Sequence, residues 1–367
     1  MAKKDETFMR ECLRLAAKGK GWVSPNPLVG AVLVKGGKVV AKGYHEMFGG
    51  PHAEVNCLRN WKGSLRSATL FVNLEPCGHQ GKTPPCTALI IHRGIRRVVI
   101  GMVDPNPLVR GAGIRQLRQA GIDVTVGVLE QECRELNRMF IRHITLKRPY
   151  LHIKIAQSAD GRIAGPRGTR RWLTSRASRM LVHAWRGEHD AVLVGAKTVR
   201  VDDPELTVRL TPGRNPDVVI LDGRFRVPER AKVFQELTSR RVFLLVAQDA
   251  LGRGSSKAVR LASRGVTIVP LPARQGRMAL RDVVATLYNH RIGSVLVEGG
   301  AQVFSAFVAE GLFDQLSVFV SPKHLGSGLA ALSADVRRGK PARLIQMENI
   351  TVQESGDDLL VQAFVSA

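Results

Sequence analysis

The sequence predicts an α/β protein of two domains. Short runs rich in Val, Ile and Leu alternate along the chain with segments whose apolar residues recur at helical spacing. Such alternation is typical of layered α/β structures. At 367 residues, the chain is long enough for two domains that each bury a core. One alternating series ends and another begins near the Lys-Arg-Pro segment at 147–149, which predicts domains at 1–147 and 148–367.

The first domain is predicted to open with an amphipathic helix. Apolar residues from Phe8 to Ala16 recur at helical spacing, and Gly19 follows as a stop signal. GAVLVKGGKVVAKGYH then predicts a hairpin that turns at Gly36–Gly37. The later elements are, in order, a helix from His52, the strand ATLFVNLEP, a helix from Cys86 after two prolines, the strand RRVVIGMVDP, a helix through IRQLRQA and the strand IDVTVGVL.

The second domain is predicted to contain a longer series of strands with helices between several of them. Val295–Gly300 ends one strand with two glycines before a helix, an arrangement that suits a pyrophosphate, although a plain turn is the simpler reading. The segment at 111–113, Gly-Ala-Gly, is interpreted as a loop. The predicted strands are LHIKIAQS, DAVLVGA, DVVILDG, RVFLLVA, VTIVPL, SVLVEGG and LSVFVSPK.

The composition argues against membrane-spanning and disulfide-stabilised secreted proteins. No apolar run approaches the roughly 20 residues that a membrane span needs, and the N-terminal segment lacks the pattern of a secretory signal. Five cysteines are an odd number, which fits a reducing compartment. We therefore expect a cytoplasmic protein without a membrane partner. The net charge of +24 favours an anionic partner, either a phosphorylated small molecule or nucleic acid, although a solvated surface explains it equally well.

Three residues of the first domain are candidate zinc ligands: His52, Cys77 and Cys86. A catalytic zinc takes three protein ligands and leaves one position for water, which it activates as a nucleophile. Glu54 starts the same helix as His52, beside the metal, and can carry a proton to a leaving nitrogen. Cys86 lies at a predicted helix start, where the dipole favours a thiolate. The bland alternative is a helix-capping His52 with ordinary buried thiols, but the combination favours a metal site.

The spacing of the two cysteines carries a family resemblance. Eight residues separate them in EPCGHQGKTPPC, whereas the general deaminase signature has two. This expanded motif resembles that of the riboflavin-biosynthesis deaminases, which are often fused to a reductase. The segments PNPLVG, GYH, PHAE and DPNP match the same family.

The resemblance implies a cytidine-deaminase-like α/β/α layer domain in which Glu54 is the proton shuttle. It implies Zn2+ bound by His52, Cys77 and Cys86. It also implies that a phosphoribosylated pyrimidine contacts six residues: Asn26, His45, His79, Lys82, Asp104 and Asn106. Among them, His79 and Lys82 lie in the eight-residue segment between the two cysteines and suit an anionic phosphate.

The second domain resembles the riboflavin reductase domain, whose fold is similar to dihydrofolate reductase. The matching segments are DGRIA, WLTS, GAKTV, DDPELTVR, VEGG and SPK. The resemblance implies an α/β domain that reduces a ribosyl group to ribityl with NADPH. On the cofactor side it implies Ala156, Trp172, Thr198, Asp202, Gly299 and Gly300. On the substrate side it implies Arg186, Leu206, Arg209 and Glu298.

Several positions depart from the family pattern or have a simpler explanation. Gly78 replaces a usual serine, Ala159 replaces a leucine, and Arg170 stands where a small polar residue is expected. Trp172 and Leu206 are equally explained by core packing. Seven arginines between 161 and 186 make that segment basic, which suits either the extra phosphate of NADPH or nucleic acid.

The leading hypothesis is a bifunctional enzyme of riboflavin biosynthesis. It would deaminate 2,5-diamino-6-(5-phosphoribosylamino)pyrimidin-4-one at zinc and then reduce the ribosyl group with NADPH. The family also implies a homo-oligomer. One alternative is an RNA or nucleoside deaminase with an appended binding domain, although nucleic acid is the less favoured partner. The other is a deaminase whose reductase half is inactive.

Overall fold

The computed structural model describes residues 2–59, 61–78, 84–165, 172–252, 255–333, 336 and 345–366. The chain divides into two compact units, Met1–Lys147 and Arg148–Ala367. We call them the N-terminal unit and the C-terminal unit. In the described part of the chain, no helix combines the length and the apolar character needed to cross a membrane.

The N-terminal unit has six α-helices and five strands among its described residues. The helices are α1 (Ala2–Ala16), α2 (Ala53–Leu58), α3 (Cys86–His92), α4 (Ala112–Gln119), α5 (Glu130–Leu136) and α6 (Arg138–Leu146). The strands are β1 (Gly30–Lys35), β2 (Lys38–Tyr44), β3 (Ala68–Leu74), β4 (Arg97–Met102) and β5 (Asp123–Val126).

The five strands form one sheet whose central strands, β1, β3 and β4, are buried on both faces. Its order is β2-β1-β3-β4-β5, with β1 antiparallel to both neighbours and β3, β4 and β5 parallel. Neighbouring residues of β3 point to opposite faces, so that Leu70 joins one apolar cluster and Phe71 the other. Burial of both faces explains why these strands read as continuous apolar runs. The predicted α/β layer architecture is confirmed.

The structure has the predicted hairpin turn between β1 and β2. Gly36 and Gly37 both have positive φ, 56° and 74°, as a tight hairpin turn requires. The interpretation of 111–113 as a loop is wrong, because α4 begins at Ala112. Helices α5 and α6 were not expected. They have seven and nine residues, and each buries a single residue, Cys133 in α5 and His143 in α6, so an apolar pattern has few turns in which to repeat.

The C-terminal unit contains six α-helices and thirteen strands among its described residues. The helices are α7 (Arg176–Glu188), α8 (Ala196–Asp202), α9 (Gln248–Gly252), α10 (Ser255–Ser263), α11 (Leu280–Asn289) and α12 (Ala301–Ala309). The strands are β6 (Tyr150–Ser158), β7 (Arg162–Ala164), β8 (Ala191–Gly195), β9 (Asp217–Leu221), β10 (Val242–Ala247), β11 (Val266–Leu271), β12 (Ala273–Arg274), β13 (Arg277–Met278), β14 (Ser294–Gly299), β15 (Gln315–Ser321), β16 (Leu329–Ala330), β17 (Met347–Ser355) and β18 (Asp358–Val365).

Nine of these strands form the central sheet of the C-terminal unit. Its order is β11-β10-β9-β8-β14-β6-β15-β18-β17, parallel from β11 to β15 and antiparallel at β18 and β17. All seven predicted strands are present. The sequence did not predict β17 and β18, because almost every residue of β17 is exposed and shows no apolar alternation.

The parallel strands end at one edge of this sheet. Parallel strands direct the loops that follow them to the same side, where ligands of α/β proteins bind. The segments that follow β8, β9 and β14 therefore lie along a common edge. This edge carries Thr198 in α8, Asp222–Arg226 after β9 and the Gly299–Gly300 turn before α12.

Candidate metal centre and a second polar site

Three predicted zinc ligands meet in the N-terminal unit. The ligand atoms of His52, Cys77 and Cys86 all lie within 4.8 Å of one another. His52 Nδ1 is 3.6 Å from Cys77 Sγ and 3.3 Å from Cys86 Sγ. His52 stands at the N-terminus of α2, but its side chain makes no capping hydrogen bond. The alternative of a helix-capping histidine is therefore wrong.

The geometry of this cluster fits a zinc ion. Tetrahedral zinc with ordinary bond lengths places a nitrogen and a sulfur ligand about 3.6 Å apart, close to both observed separations. Among the described residues, no fourth His, Cys, Asp or Glu joins the cluster. Three ligands and an open fourth position are typical of catalytic zinc sites.

Glu54 lies beside the cluster without belonging to it. Its side chain is buried, with 3% of the residue exposed. Burial is the main cause that raises the pKa of Glu54, to about 7. Such a carboxyl group can both take up and release a proton near neutral pH.

The helix start at Cys86 stabilises the other cysteine. The backbone N–H of Cys86 donates to Cys77 Sγ at 3.3 Å. Hydrogen bonding with Cys86, followed by that with His52, lowers the pKa of Cys77 to about 4. The same contact with Cys77, together with burial, raises the pKa of Cys86. The amide at the start of α3 therefore favours a thiolate at Cys77.

Two of the predicted substrate residues lie next to the metal cluster. The His45 ring stands 5.7 Å from the His52 ring, centroid to centroid, in an edge-on arrangement. Its Nδ1 is 3.0 Å from the Pro51 carbonyl oxygen and therefore donates, which leaves Nε2 to accept from Asn26 Nδ2 at 3.1 Å. Burial lowers the pKa of His45. The ring is thus held neutral and oriented.

Two more of the predicted substrate residues of this unit lie in one loop. Asp104 and Asn106 follow β4, where Asp104 Oδ1 accepts the Asn106 N–H at 2.8 Å. His79 and Lys82 lie outside the described residues. At Gly78, an added Cβ would come within 2.8 Å of Gln116 Oε1, so Gln116 fills the space of the missing serine side chain.

In the C-terminal unit, two predicted substrate residues, Arg186 and Arg209, converge on Thr207, and a third, Glu298, pairs with Arg186. Arg186 pairs with Glu298 through two contacts, Nε–Oε1 at 2.5 Å and Nη2–Oε2 at 2.9 Å. Arg186 also donates to the Thr207 carbonyl, and Arg209 donates to the Thr207 hydroxyl. Leu206 instead has a buried side chain in the apolar core.

Two further residues of this polar site were missed by the sequence analysis. Lys154 Nζ lies 3.7 Å from Glu298 Oε2, and His183 Nδ1 accepts the Arg209 N–H at 3.0 Å. The available signal for Lys154 was a lone cation inside the apolar strand LHIKIAQS. A buried lysine needs a partner, which a sequence alone does not supply.

The electrostatics of this site follow from burial and from its clustered cations. Burial opposes ionisation of Glu298, but the charges of Arg186 and Lys154 outweigh it and lower the pKa to about 2. Burial, reinforced by Arg186 and Arg209, lowers the pKa of His183 to about 4. His183 is therefore uncharged at neutral pH, and the site retains more cations than carboxylates.

On the cofactor side, two predicted elements contact each other. Thr198 Oγ1 donates to the Gly299 carbonyl at 2.6 Å. Gly300 has a φ of 103°, and an added Cβ would lie 2.8 Å from Thr198 Oγ1, so the turn requires glycine. Ala156 lies in β6, and Asp202 ends α8.

Trp172 is 66% exposed, and the Arg179 guanidinium lies 4.8 Å from its ring centroid. The alternative that Trp172 packs in the core is wrong. Ala159 is exposed too, so its small side chain leaves no cavity in the core. Arg170 lies outside the described residues.

A cationic cavity of about 520 Å³ lies at the carboxyl ends of β9 and β10. Lys257 is anchored there by donating to the carbonyl oxygens of Phe225 and Val227. Arg224 and Arg226 are exposed and form no ion pair with another described residue. Besides these residues, the lining comprises Gly223, Asp249, Ala250, Gln275 and Gly276.

Two family models match the chain. Residues 2–102 match the cytidine and deoxycytidylate deaminase zinc-binding region. Residues 149–361 match the RibD C-terminal domain, which is more than half of the chain.

Similar proteins extend over nearly the whole sequence. A riboflavin biosynthesis protein RibD from Aquifex aeolicus is 42% identical over 358 residues, 97% of each chain. RibD of Escherichia coli is 37% identical over 341 residues, 89% of this chain and 90% of that one.

Solved structures agree with this relationship. The Thermotoga maritima diaminohydroxyphosphoribosylaminopyrimidine deaminase/5-amino-6-(5-phosphoribosylamino)uracil reductase is 40% identical with a TM-score of 0.85, covering 100% of this chain and 99% of that chain. Acinetobacter baumannii RibD has 34% identity and a TM-score of 0.87 over the full length of both chains. The chain therefore belongs to the RibD family of riboflavin biosynthesis proteins.

Proposed function

We propose that the chain catalyses two steps of riboflavin biosynthesis, a zinc-dependent deamination and an NADPH-dependent reduction. As a RibD family member it is an enzyme with a deaminase region and a reductase domain. The N-terminal unit, 1–147, would carry the first activity and the C-terminal unit, 148–367, the second. The observation that carries the proposal is the meeting of His52, Cys77 and Cys86 around one point, with Glu54 buried beside them.

The residues of the metal centre have complementary roles in the deamination. Zn2+ would be held by His52, Cys77 and Cys86. When bound, it would act as a Lewis acid that activates water near neutral pH. Glu54, with a pKa of about 7, receives the proton of the attacking water and passes it to the leaving nitrogen. Its burial keeps bulk water away from that transfer.

The substrate of the first step would be 2,5-diamino-6-(5-phosphoribosylamino)pyrimidin-4-one. The neutral His45 ring orients the Asn26 amide beside the metal ligands, and both residues would contact this substrate. Asp104 and Asn106 would contact the same substrate from the loop after β4, and His79 and Lys82 would contact its phosphate.

The polar site of the C-terminal unit suits the second step. Arg186 and Arg209 both donate to Thr207, and the half-exposed Arg209 would bind the substrate phosphate, since a guanidinium binds phosphate with parallel hydrogen bonds. Glu298 holds Arg186 in place, while Leu206 shapes the core beneath. NADPH supplies the hydride when bound.

The cofactor would lie along the carboxyl edge of the central sheet. Ala156, Trp172, Thr198, Asp202, Gly299 and Gly300 would contact it. The cationic cavity after β9 lies on the same edge and offers Arg224 and Arg226, neither of which is ion-paired within the described part of the chain. We assign this cavity to the additional phosphate that distinguishes NADPH from NADH.

Neither alternative function is favoured. A nucleic-acid deaminase does not account for a RibD C-terminal domain over 149–361. An inactive reductase is not supported by Ala159, which is exposed and disturbs no packing. We further propose a cytoplasmic location, with which the free cysteines of the described residues are consistent, and a homo-oligomer, as the family resemblance implies.

One assay tests both activities. Purified zinc-loaded protein is given the phosphoribosyl pyrimidine and NADPH, and ammonia release and NADPH consumption are followed together. We expect both, with NADPH consumption dependent on prior deamination. Ammonia release without NADPH consumption would overturn the reductase half, and failure of both would overturn the proposal.

A further inference from the structure

Glu75 is a buried carboxyl residue next to the cysteine motif. It follows β3 directly and stands two positions before Cys77. Only 5% of the residue is exposed, and its backbone N–H donates to the Met102 carbonyl at 3.0 Å. A buried carboxyl group is costly unless it is hydrogen-bonded, so its partners indicate its role.

The partners of the Glu75 carboxyl group are backbone N–H groups of a single segment. Oε2 accepts from Asp104 at 3.1 Å and from Gly111 at 3.0 Å, and Oε1 accepts from Ile114 at 3.2 Å. These donors span the loop after β4 and the start of α4. One side chain therefore fixes both ends of the loop that carries Asp104 and Asn106.

Close packing ties the same segment to the cysteine motif. At Gly113, an added Cβ would lie 2.0 Å from the Pro76 carbonyl oxygen, so the start of α4 lies directly against the residue before Cys77. One turn later, Gln116 Nε2 donates to the Gly78 carbonyl at 2.9 Å, and Gln116 Oε1 accepts from Thr87 Oγ1 at 2.8 Å. The segment thus contacts the chain next to both cysteine ligands.

We propose that Glu75 is a positioning residue of the deaminase, which holds the Asp104–Asn106 loop at a fixed distance from the metal ligands. It contacts neither substrate nor reacting atoms and acts through the backbone of that loop. The inference rests on the proposed function, in which Asp104 and Asn106 contact the substrate. A positioning role through that loop affects substrate binding more than the chemical step.

The test compares Glu75→Gln with wild type in the full-length, zinc-loaded protein. The amide can present an oxygen to some of the three N–H donors but turns an NH2 group towards the others. We expect the KM for the phosphoribosyl pyrimidine to rise about tenfold, with kcat changed less than about twofold. Zinc content should be unchanged, while the amides of Asp104, Gly111 and Ile114 lose protection against hydrogen exchange. Glu75→Asp, which retains the charge, should restore part of the affinity.

Asp190→Asn is the matched control. Asp190 is also a buried carboxylate that accepts two backbone N–H bonds, from Gly293 and Ser294, but it lies in the C-terminal unit. Its loss should lower stability and leave the deaminase KM unchanged. A similar result for Glu75→Gln, with lower stability and an unchanged KM, would overturn the positioning role, and so would a loss of zinc.

Asp104→Ala separates this inference from the proposed function. If Asp104→Ala raises KM and Glu75→Gln does not, the positioning role fails while the substrate contact stands. If Asp104→Ala itself leaves KM unchanged, the assignment of the loop to substrate binding fails. If the wild-type protein itself releases no ammonia, the proposed deaminase function is wrong.

Discussion

Arg186 and Glu298 form a bidentate ion pair in the C-terminal unit, with contacts of 2.5 and 2.9 Å. Both side chains are largely buried, and Lys154 approaches the same carboxylate. Two cations therefore depend on one acid for their neutralisation. Removing the acid would leave both charges in a poorly solvated place.

Glu298→Gln is expected to destabilise the C-terminal unit by about 3 kcal/mol, because breaking a buried ion pair leaves its partner uncompensated. Urea unfolding followed by circular dichroism measures the change. Arg241→Gln provides the contrast, since Arg241 pairs with Asp217 from an exposed position and should matter by less than about 1 kcal/mol. Equal effects of the two variants would contradict the role of burial.

His183 predicts a pH dependence of stability. Its pKa falls from 6.5 to about 4 on folding, so the unfolded chain binds the proton more readily. The stability that His183 contributes is present above pH 6.5 and is lost as the pH falls towards 4. The free energies of unfolding of wild type and His183→Gln should therefore converge as the pH falls from 6.5 towards 4. Parallel pH profiles would contradict the lowered pKa.

Glu54→Gln is expected to keep zinc and to lose ammonia release by roughly a hundred- to ten-thousandfold, the range for a general acid–base group. Metal analysis and an ammonia assay measure the two properties. NADPH consumption with the deaminated intermediate serves as the internal control and should be unchanged. A variant that deaminates at the wild-type rate would contradict the proton-transfer role.

Arg224→Ala is expected to raise the KM for NADPH by about tenfold and to leave that for NADH nearly unchanged, since only NADPH carries the extra phosphate. Steady-state reduction with each cofactor measures the preference. Arg230→Ala is the matched control, because Arg230 is exposed nearby but does not line the cavity. An equal rise in KM for NADPH and for NADH would show that the extra phosphate of NADPH does not bind in this cavity.

The sequence predicted the layers and the metal ligands more readily than the polar networks. Strands with both faces buried appear in the sequence as apolar runs. His52, Cys77 and Cys86 could be predicted because zinc is bound by these residue types and because they occur in recognisable motifs. Lys154 was missed because its partner, Glu298, lies far along the chain and meets it only through the pairing of β6 with β14. Exposed elements such as β17 leave no apolar pattern to detect.

The role of Glu75 was hidden for a different reason. Its partners are backbone N–H groups, and every residue except proline has one. No side-chain pattern in the loop therefore indicates the contact. The interpretation of 111–113 as a loop failed in the same place, since Gly113 is small because it packs against Pro76 and not because the chain turns there.

Strand β3 ends in Asn73 and Leu74, with Glu75 next in the chain. Asn73 Oδ1 accepts the Gly30 N–H at 2.7 Å, and its Nδ2 donates to the Leu28 carbonyl at 2.9 Å, on the segment that follows Asn26. Asn73 and Glu75 thus anchor two different loops through main-chain atoms alone. Because such anchors do not depend on which side chains the loops carry, the loops are free to diverge in sequence and acquire new substrate preferences while the metal centre beneath them keeps its shape.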